Sequence, residues 1–381
     1  MFKIGEEEIN AVTDTLRRGI LSKFQGGSEG YLARAERDLA AKIEVKHALM
    51  MNSGTSALIS ALVALGIGPG DEVLISAYTW IATAIAPMVL GAIPKLVEID
   101  ESLLMDPLDL EKKITPQTKA IIVVHMANLP APMDAIMEVA KRHQIPVVED
   151  ACQAVGGLYR NQRLGSIGCM GVFSFNNYKN ITCGEGGALL TSDDLLFDRA
   201  RCWHDAGVFV HKYDFAFQIP YFIGQNYRAT EIDGALIFEQ LKRLDPCMAI
   251  LRERVAYARE KFVAAGFTLS PHHDPESAAA VSILFDSLAE KEKFTARTGM
   301  KSIFETAGKH IYTNWVPLVE KRTYREDINP LLTEEGKKVQ YNEATAPRSL
   351  DILKRSAYVT PVWDCAFSEI DETVKRLSKA E

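Results

Sequence analysis

The chain has 381 residues, of which 47% are hydrophobic, and 50 acidic side chains against 43 basic ones give a net charge of -7. That apolar content excludes a disordered chain and, at this length, suggests two domains; the negative balance leaves no general basic field, so neither nucleic acid nor an anionic membrane is an expected partner. The six cysteines (Cys152, Cys169, Cys183, Cys202, Cys247 and Cys365) lack CxxC or zinc-like spacing, which points to reduced thiols in a cytoplasmic protein with neither a disulfide framework nor a metal site.

The first residues, MFKIGEEEINAVTDTLRRGI, carry charges where a signal peptide needs its apolar stretch, so secretion is not expected. Further on, apolar runs of strand length alternate with helical patterns. The strands are expected at Ala48 to Asn52, Glu72 to Ser76, Ile93 to Glu98, Ala120 to His125, Pro146 to Glu149, Gly171 to Phe175 and Ala188 to Thr191. Helices are expected at Ser56 to Leu65, Ile81 to Leu90, Pro107 to Ile114 and Met133 to His143. The most membrane-like segment, Trp80 to Ile99, is broken by Pro87, Gly91 and Pro94 and contains Lys95 and Glu98, so it reads as a buried helix followed by a strand. This alternation predicts an α/β fold with a largely parallel sheet covered by helices on both faces.

After about Asp245 the texture changes. Charged helix-forming sequence, LRERVAYAREKFVAAG, a short strand at Ala279 to Phe285 and a polar stretch from Lys321 to Ala346 predict a smaller α+β domain with long loops. The expected division is therefore a large domain over residues 1–245 and a small one over 246–381.

Three segments carry chemistry. In MNSGTSALISAL, a strand ends at Ser53-Gly54-Thr55-Ser56 and a helix begins, turning free backbone N–H groups and hydroxyls toward one point that suits a phosphate. Taken alone it better suits a plain serine or threonine cap, since such caps are common. In VVEDACQA, a short strand delivers Asp150 to the rim of the sheet, where ligands of open α/β folds sit, while alternation turns Glu149 the other way. In FSFNNYKNITCGEGG, Lys179 lies on a loop after Phe173-Ser174-Phe175, with Gly184, Gly186 and Gly187 allowing close approach of backbone to a planar ligand. A lone lysine beside glycines is usually surface, but with Asp150, Gln153 and Ser174 it suggests a Schiff-base site for pyridoxal 5'-phosphate.

NSGTSAL, GIGPGDEV, AYTWIATA, VVEDACQA, FSFNNYKNITCGEGGAL and GQNYRATEI stand here in the order and approximate spacing of the DegT/StrS family of sugar aminotransferases, which the chain resembles from about Gly5 to Gln240. The resemblance implies a fold-type-I pyridoxal-phosphate transferase whose large domain holds a mostly parallel seven-stranded sheet. It implies a homodimer with shared active sites that moves an amino group from glutamate or glutamine to a keto- or aldehyde-sugar. By position, Lys179 matches the Schiff-base lysine, Asp150 the partner of the pyridine nitrogen and Gln153 the residue near the ring hydroxyl. Gly54, Thr55 and Ser174 match phosphate-binding positions, Trp80 the aromatic residue stacked on the ring, and Asn226 an asparagine reaching in from the neighbouring subunit.

The departures lie on the substrate side. Asn176 stands where the family commonly has histidine, HMANLPAPM places Ala127, Asn128 and Pro132 where tyrosine, glycine and aspartate are common, and IYTNWVPLVEKR lacks a tyrosine-proline-x-histidine signature. A nucleotide-linked sugar is thereby less expected. Two alternatives stay open: a non-nucleotide or non-sugar carbonyl acceptor, and a non-catalytic, regulatory pyridoxal-phosphate-binding protein on the same scaffold.

Overall fold

A computed structural model describes residues 4–207, 218–362 and 364–378. In chain order the strands are β1 (His47–Met51), β2 (Glu72–Ser76), β3 (Ile93–Val97), β4 (Thr118–Val124), β5 (Val147–Asp150), the hairpin arms β6 (Leu158–Tyr159) and β7 (Gln162–Arg163), β8 (Met170–Ser174), β9 (Gly187–Thr191), β10 (Ser282–Leu284) and β11 (Ser356–Tyr358). Seven of them form one sheet in the order β1-β9-β8-β5-β4-β2-β3. Neighbours pair in parallel except at β9, which runs antiparallel to both β1 and β8.

Successive side chains of the strands feed two separate cores, as the pleat requires. Ile121 and Val123 of β4, Leu74 of β2 and Met50 of β1 enter one core with the helices Tyr31–Ile43, Met133–His143 and Glu231–Ala264. Ile122 and Val124, Val73 and Ile75, and Leu49 and Met51 enter the other, with Gly54–Ala64 and Ala82–Val89. Covering both faces buries every residue of β2, β8 and β9. That is why these strands read as continuous apolar runs rather than as alternation.

The seven expected strands and four expected helices are all present, with ends shifted by one or two residues. Pro107–Lys113 starts where Asp106 accepts from Leu108 N–H at 2.8 Å with proline in the first turn, and Met133–His143 stops at Gln144, whose φ is 56°. In place of a membrane-like span, the chain forms the helix Ala82–Val89 and then β3, and no helix among the described residues is long and apolar enough to cross a membrane.

Several elements were not anticipated, among them the hairpin β6–β7 and the helices Glu6–Arg18, Tyr31–Ile43 and Asp194–His204. Helices Glu6–Arg18 and Tyr31–Ile43 pack against Glu231–Ala264, a 34-residue helix opened by a reciprocal Thr230–Asp233 capping box. That helix runs uninterrupted through Pro246, so the residue 245 boundary lies inside it, and both cores include residues from either side of that position. The C-terminal part contains the antiparallel pair β10–β11, short helices and long connections. It covers the sheet edge at β3, where Tyr341 Oη donates to the Pro94 carbonyl at 2.6 Å and Glu98 accepts from Ser349 N–H at 2.7 Å.

Candidate active site

At the C-terminal ends of the parallel strands lies one cavity of about 500 Å³. It is lined by Gly54 and Thr55 after β1, Thr79 and Trp80 after β2, Val124 of β4, Asp150, Cys152 and Gln153 at and after β5, and Ser174, Asn176 and Lys179 at and after β8. Seven of the eight residues singled out in the sequence thus meet in one place. The eighth, Asn226, is exposed, accepts from Arg228 N–H at 3.4 Å and does not line this cavity.

The floor is built by a close approach of backbones. Ser53 caps the helix Gly54–Ala64 by accepting from Ser56 N–H at 3.0 Å, while the N–H groups of Gly54 and Thr55 have no acceptor among the described residues. Gly187 of β9 sits between Met51 and Ser174 in the sheet register. A Cβ there would lie 2.4 Å from the Ser53 carbonyl carbon and 2.5 Å from Gly54 N; one on Gly54 would lie 2.9 Å from Cys152 Sγ and 3.0 Å from Ser174 Cβ. Only glycine at both positions lets the helix N-terminus and the Ser174 hydroxyl converge. The result is a cradle of neutral donors at a positive helix end, which fits a phosphate.

Across the cavity, Asp150 is 5% exposed and its Oδ2 accepts from Thr83 Oγ1 at 2.8 Å, while Oδ1 accepts from Cys152 N–H at 3.3 Å. Thr83 Oγ1 in turn lies 2.8 Å from Thr79 Oγ1. A carboxylate so oriented, with one side open to the cavity, fits a ring N–H. Burial and the Asp150 charge push the Cys152 thiol well up, so it stays protonated and is no nucleophile.

The Lys179 loop is tied down on both sides of the lysine. Lys179 N–H donates to the Asn176 carbonyl at 2.9 Å, Asn177 N–H donates to Gly184 at 3.1 Å, and Asn180 Nδ2 donates to Asn128 Oδ1 at 2.7 Å and to the Val155 carbonyl at 2.9 Å. Asn128 and Ala127 have φ of 61° and 53°. Asparagine tolerates the left-handed region, which explains why it stands where glycine is common, whereas Ala127 is strained there. Ala127 N–H donates to Gln153 Oε1 at 3.2 Å, fixing that side chain at the wall.

Three groups escaped the reading of the sequence. Thr83 sits inside AYTWIATA, and its link to Asp150 appears only when the helix after β2 is set beside β5. Lys309 and His310 arrive from the far C-terminal region because Thr79 N–H donates to the His310 carbonyl at 3.1 Å; no local pattern marks them. His310 packs edge-on to Trp80 with centroids 5.6 Å apart, and Lys309 Nζ lies 5.7 Å from the ring centres of both Trp80 and Tyr178. Burial, followed by the charges of Lys309 and Lys179, lowers the His310 pKa to about 4, so it is neutral at pH 7.

Over 244 residues the chain is 41% identical to GDP-perosamine synthase of Caulobacter vibrioides, covering 64% of this chain and 65% of that protein. Over 263 residues it is 40% identical to the spore coat polysaccharide biosynthesis protein SpsC of Bacillus subtilis, covering 66% and 65%. The matches thus span just under two thirds of each relative. Among solved structures, DesV of S. venezuelae superposes with a TM-score of 0.77 at 28% identity, over 98% of this chain and 94% of that one. Residues 3–345 match the DegT/DnrJ/EryC1/StrS aminotransferase family, and the chain belongs to it. Enzymes of this family have the fold-type-I architecture and depend on pyridoxal phosphate.

Proposed function

We propose that this family member is a pyridoxal-phosphate-dependent aminotransferase that moves an amino group from L-glutamate or L-glutamine to a keto- or aldehyde-sugar in amino-sugar biosynthesis. The observation that carries the reading is the convergence of Lys179, Asp150 and the Gly54–Thr55–Ser174 cradle on one cavity. The names of the relatives, a perosamine synthase and a coat-polysaccharide protein, favour a sugar acceptor.

The residues present fit the cofactor. Gly54, Thr55 and Ser174 would hold its phosphate, Asp150 its ring nitrogen, Gln153 its ring hydroxyl and Trp80 its face. When bound, it supplies a carbonyl that condenses with amines and a cationic ring that delocalises the charge left by a departing proton. Asp150, oriented by Thr83, would keep the proton on the ring nitrogen, because ion pairing favours the charged form of its partner. Lys179 Nζ, carried on a tethered loop, would hold the cofactor through its carbonyl and, when free, would be placed to carry a proton at the reacting carbons.

The enzyme is proposed to work in the cytoplasm as a homodimer, with Asn226 of each chain completing the phosphate site of the other. Its exposure outside its own cavity supports that reading. The division into domains near residue 245 is also a proposal, with Glu231–Ala264 shared between the two parts.

The test is spectroscopic. Purified holoenzyme should absorb in the near-visible, borohydride reduction should fix the cofactor to a peptide containing Lys179, and L-glutamate or L-glutamine should bleach that band. Fixation at another lysine refutes the assignment of Lys179. A band unresponsive to every amino acid favours a regulatory protein over an enzyme.

A further inference from the structure

The cavity must accommodate anions but has few cations. Among the described residues of this chain, Lys179 and Lys309 are the only lysines lining it, no arginine does, and His310 is neutral at pH 7. The phosphate cradle is made of neutral donors, and two of the lining residues, Asp150 and Glu185, are carboxylates. Glu185 accepts from Asn176 Nδ2 at 2.8 Å, which holds its negative charge at the wall. An amino-acid donor brings an α-carboxylate within two bonds of the nitrogen that reacts, and a carboxylate in a half-enclosed site requires a counter-charge.

We propose that Lys309 is that counter-charge, a specificity-determining residue that receives the carboxylate of the amino donor; the inference rests on the aminotransferase reading given above. The lysine is exposed at the rim and forms no ion pair among the described residues, so its charge is available. It is nevertheless fixed in place. Its carbonyl accepts from Trp315 Nε1 at 3.3 Å, the next residue is tied to Thr79, and its amine stands between the Trp80 and Tyr178 rings. With an aromatic ring on either side, the ammonium stays close to the cavity mouth, where it can form a charge-assisted bond to an anion. Lys179 does not serve instead, because its amine is occupied in the chemistry.

The test compares the holoenzyme with its Lys309→Met and Lys309→Arg variants, following the bound-cofactor spectrum as L-glutamate is titrated. In Lys309→Met the half-saturating glutamate concentration should rise by about 10- to 100-fold, the loss of one charge-assisted bond, while cofactor retention stays close to wild type. Lys309→Arg should recover most of that loss. Glutarate, which has carboxylates but no amine, should bind the wild type in calorimetry and bind Lys309→Met at least about tenfold more weakly. Unchanged glutamate and glutarate binding in Lys309→Met overturns the proposal, as does a defect confined to the carbonyl acceptor. If no amino acid changes the wild-type spectrum, the aminotransferase reading fails; glutarate binding that depends on Lys309 then still identifies the carboxylate site, so the two failures are separable.

Discussion

Glu149 and Asp150 are neighbours on β5, both nearly inaccessible, yet they are used in opposite ways. Glu149, fully buried, accepts from the N–H groups of Gly165, Ile167 and Gly168 at 2.9, 2.6 and 2.6 Å and contacts His125 Nε2 at 3.0 Å. His125 Nδ1 accepts from Ala131 N–H at 3.1 Å, so the proton sits on Nε2 and is donated to Glu149. Asp150 has one hydroxyl and one long backbone contact, and its remaining side faces the cavity. A buried carboxylate with every lone pair engaged holds chain together; one left partly open is available to a ligand.

That contrast can be broken at either residue. The largest effect is expected for Asp150→Ala, with kcat/KM falling by about 10³-fold or more while the urea midpoint moves little; retained activity would remove Asp150 from the chemistry. Glu149→Ala should do the reverse and lower unfolding free energy by about 3 kcal/mol, since three N–H groups and His125 lose their acceptor, while folded protein still binds cofactor. A denaturant midpoint equal to wild type would show that the loop around residues 163–168 is held by other contacts. Thr83→Val should weaken cofactor binding by about 1 kcal/mol, read in equilibrium dialysis, because Asp150 loses one orienting donor.

The smallest effect concerns pH and the cavity side, through His310. The ordinary histidine pKa is 6.5, and His310 is held at about 4 in the folded chain. The unfolded chain therefore takes up a proton near pH 6.5 that the folded one refuses. The contribution of His310 to stability is complete above pH 6.5 and is lost as pH falls toward 4. His310→Gln should flatten that part of the stability profile in calorimetry; an identical slope would mean that the ring is protonated in place.

Much of the fold was legible because a strand covered on both faces is apolar throughout, and β2, β8 and β9 are such strands. The N-terminal helices were not, since Glu6–Arg18 exposes most of its surface and buries only Glu8, Ala11 and Thr15. The change of texture after Asp245 marks no break in the helix. Leu251, Val255, Ala258 and Phe262 continue its buried stripe while the charged residues between them face outward. Lys179, Asp150 and the cradle were readable because each lies at or just after a strand end, beside a helix start or a glycine-rich turn, whereas Thr83 and Lys309 act through contacts that only the folded chain creates.

β9 also sets an expected order of events. The cradle needs Met51, Gly187 and Ser174 side by side, and the strand between the first and last of these is the last of the seven to be synthesised and the only one running backward. Closing so long a loop is slow, and strands of distant origin pair late. Competence to retain the phosphate should therefore emerge only when the sheet is complete, making cofactor capture a built-in reporter that folding of the sheet has finished.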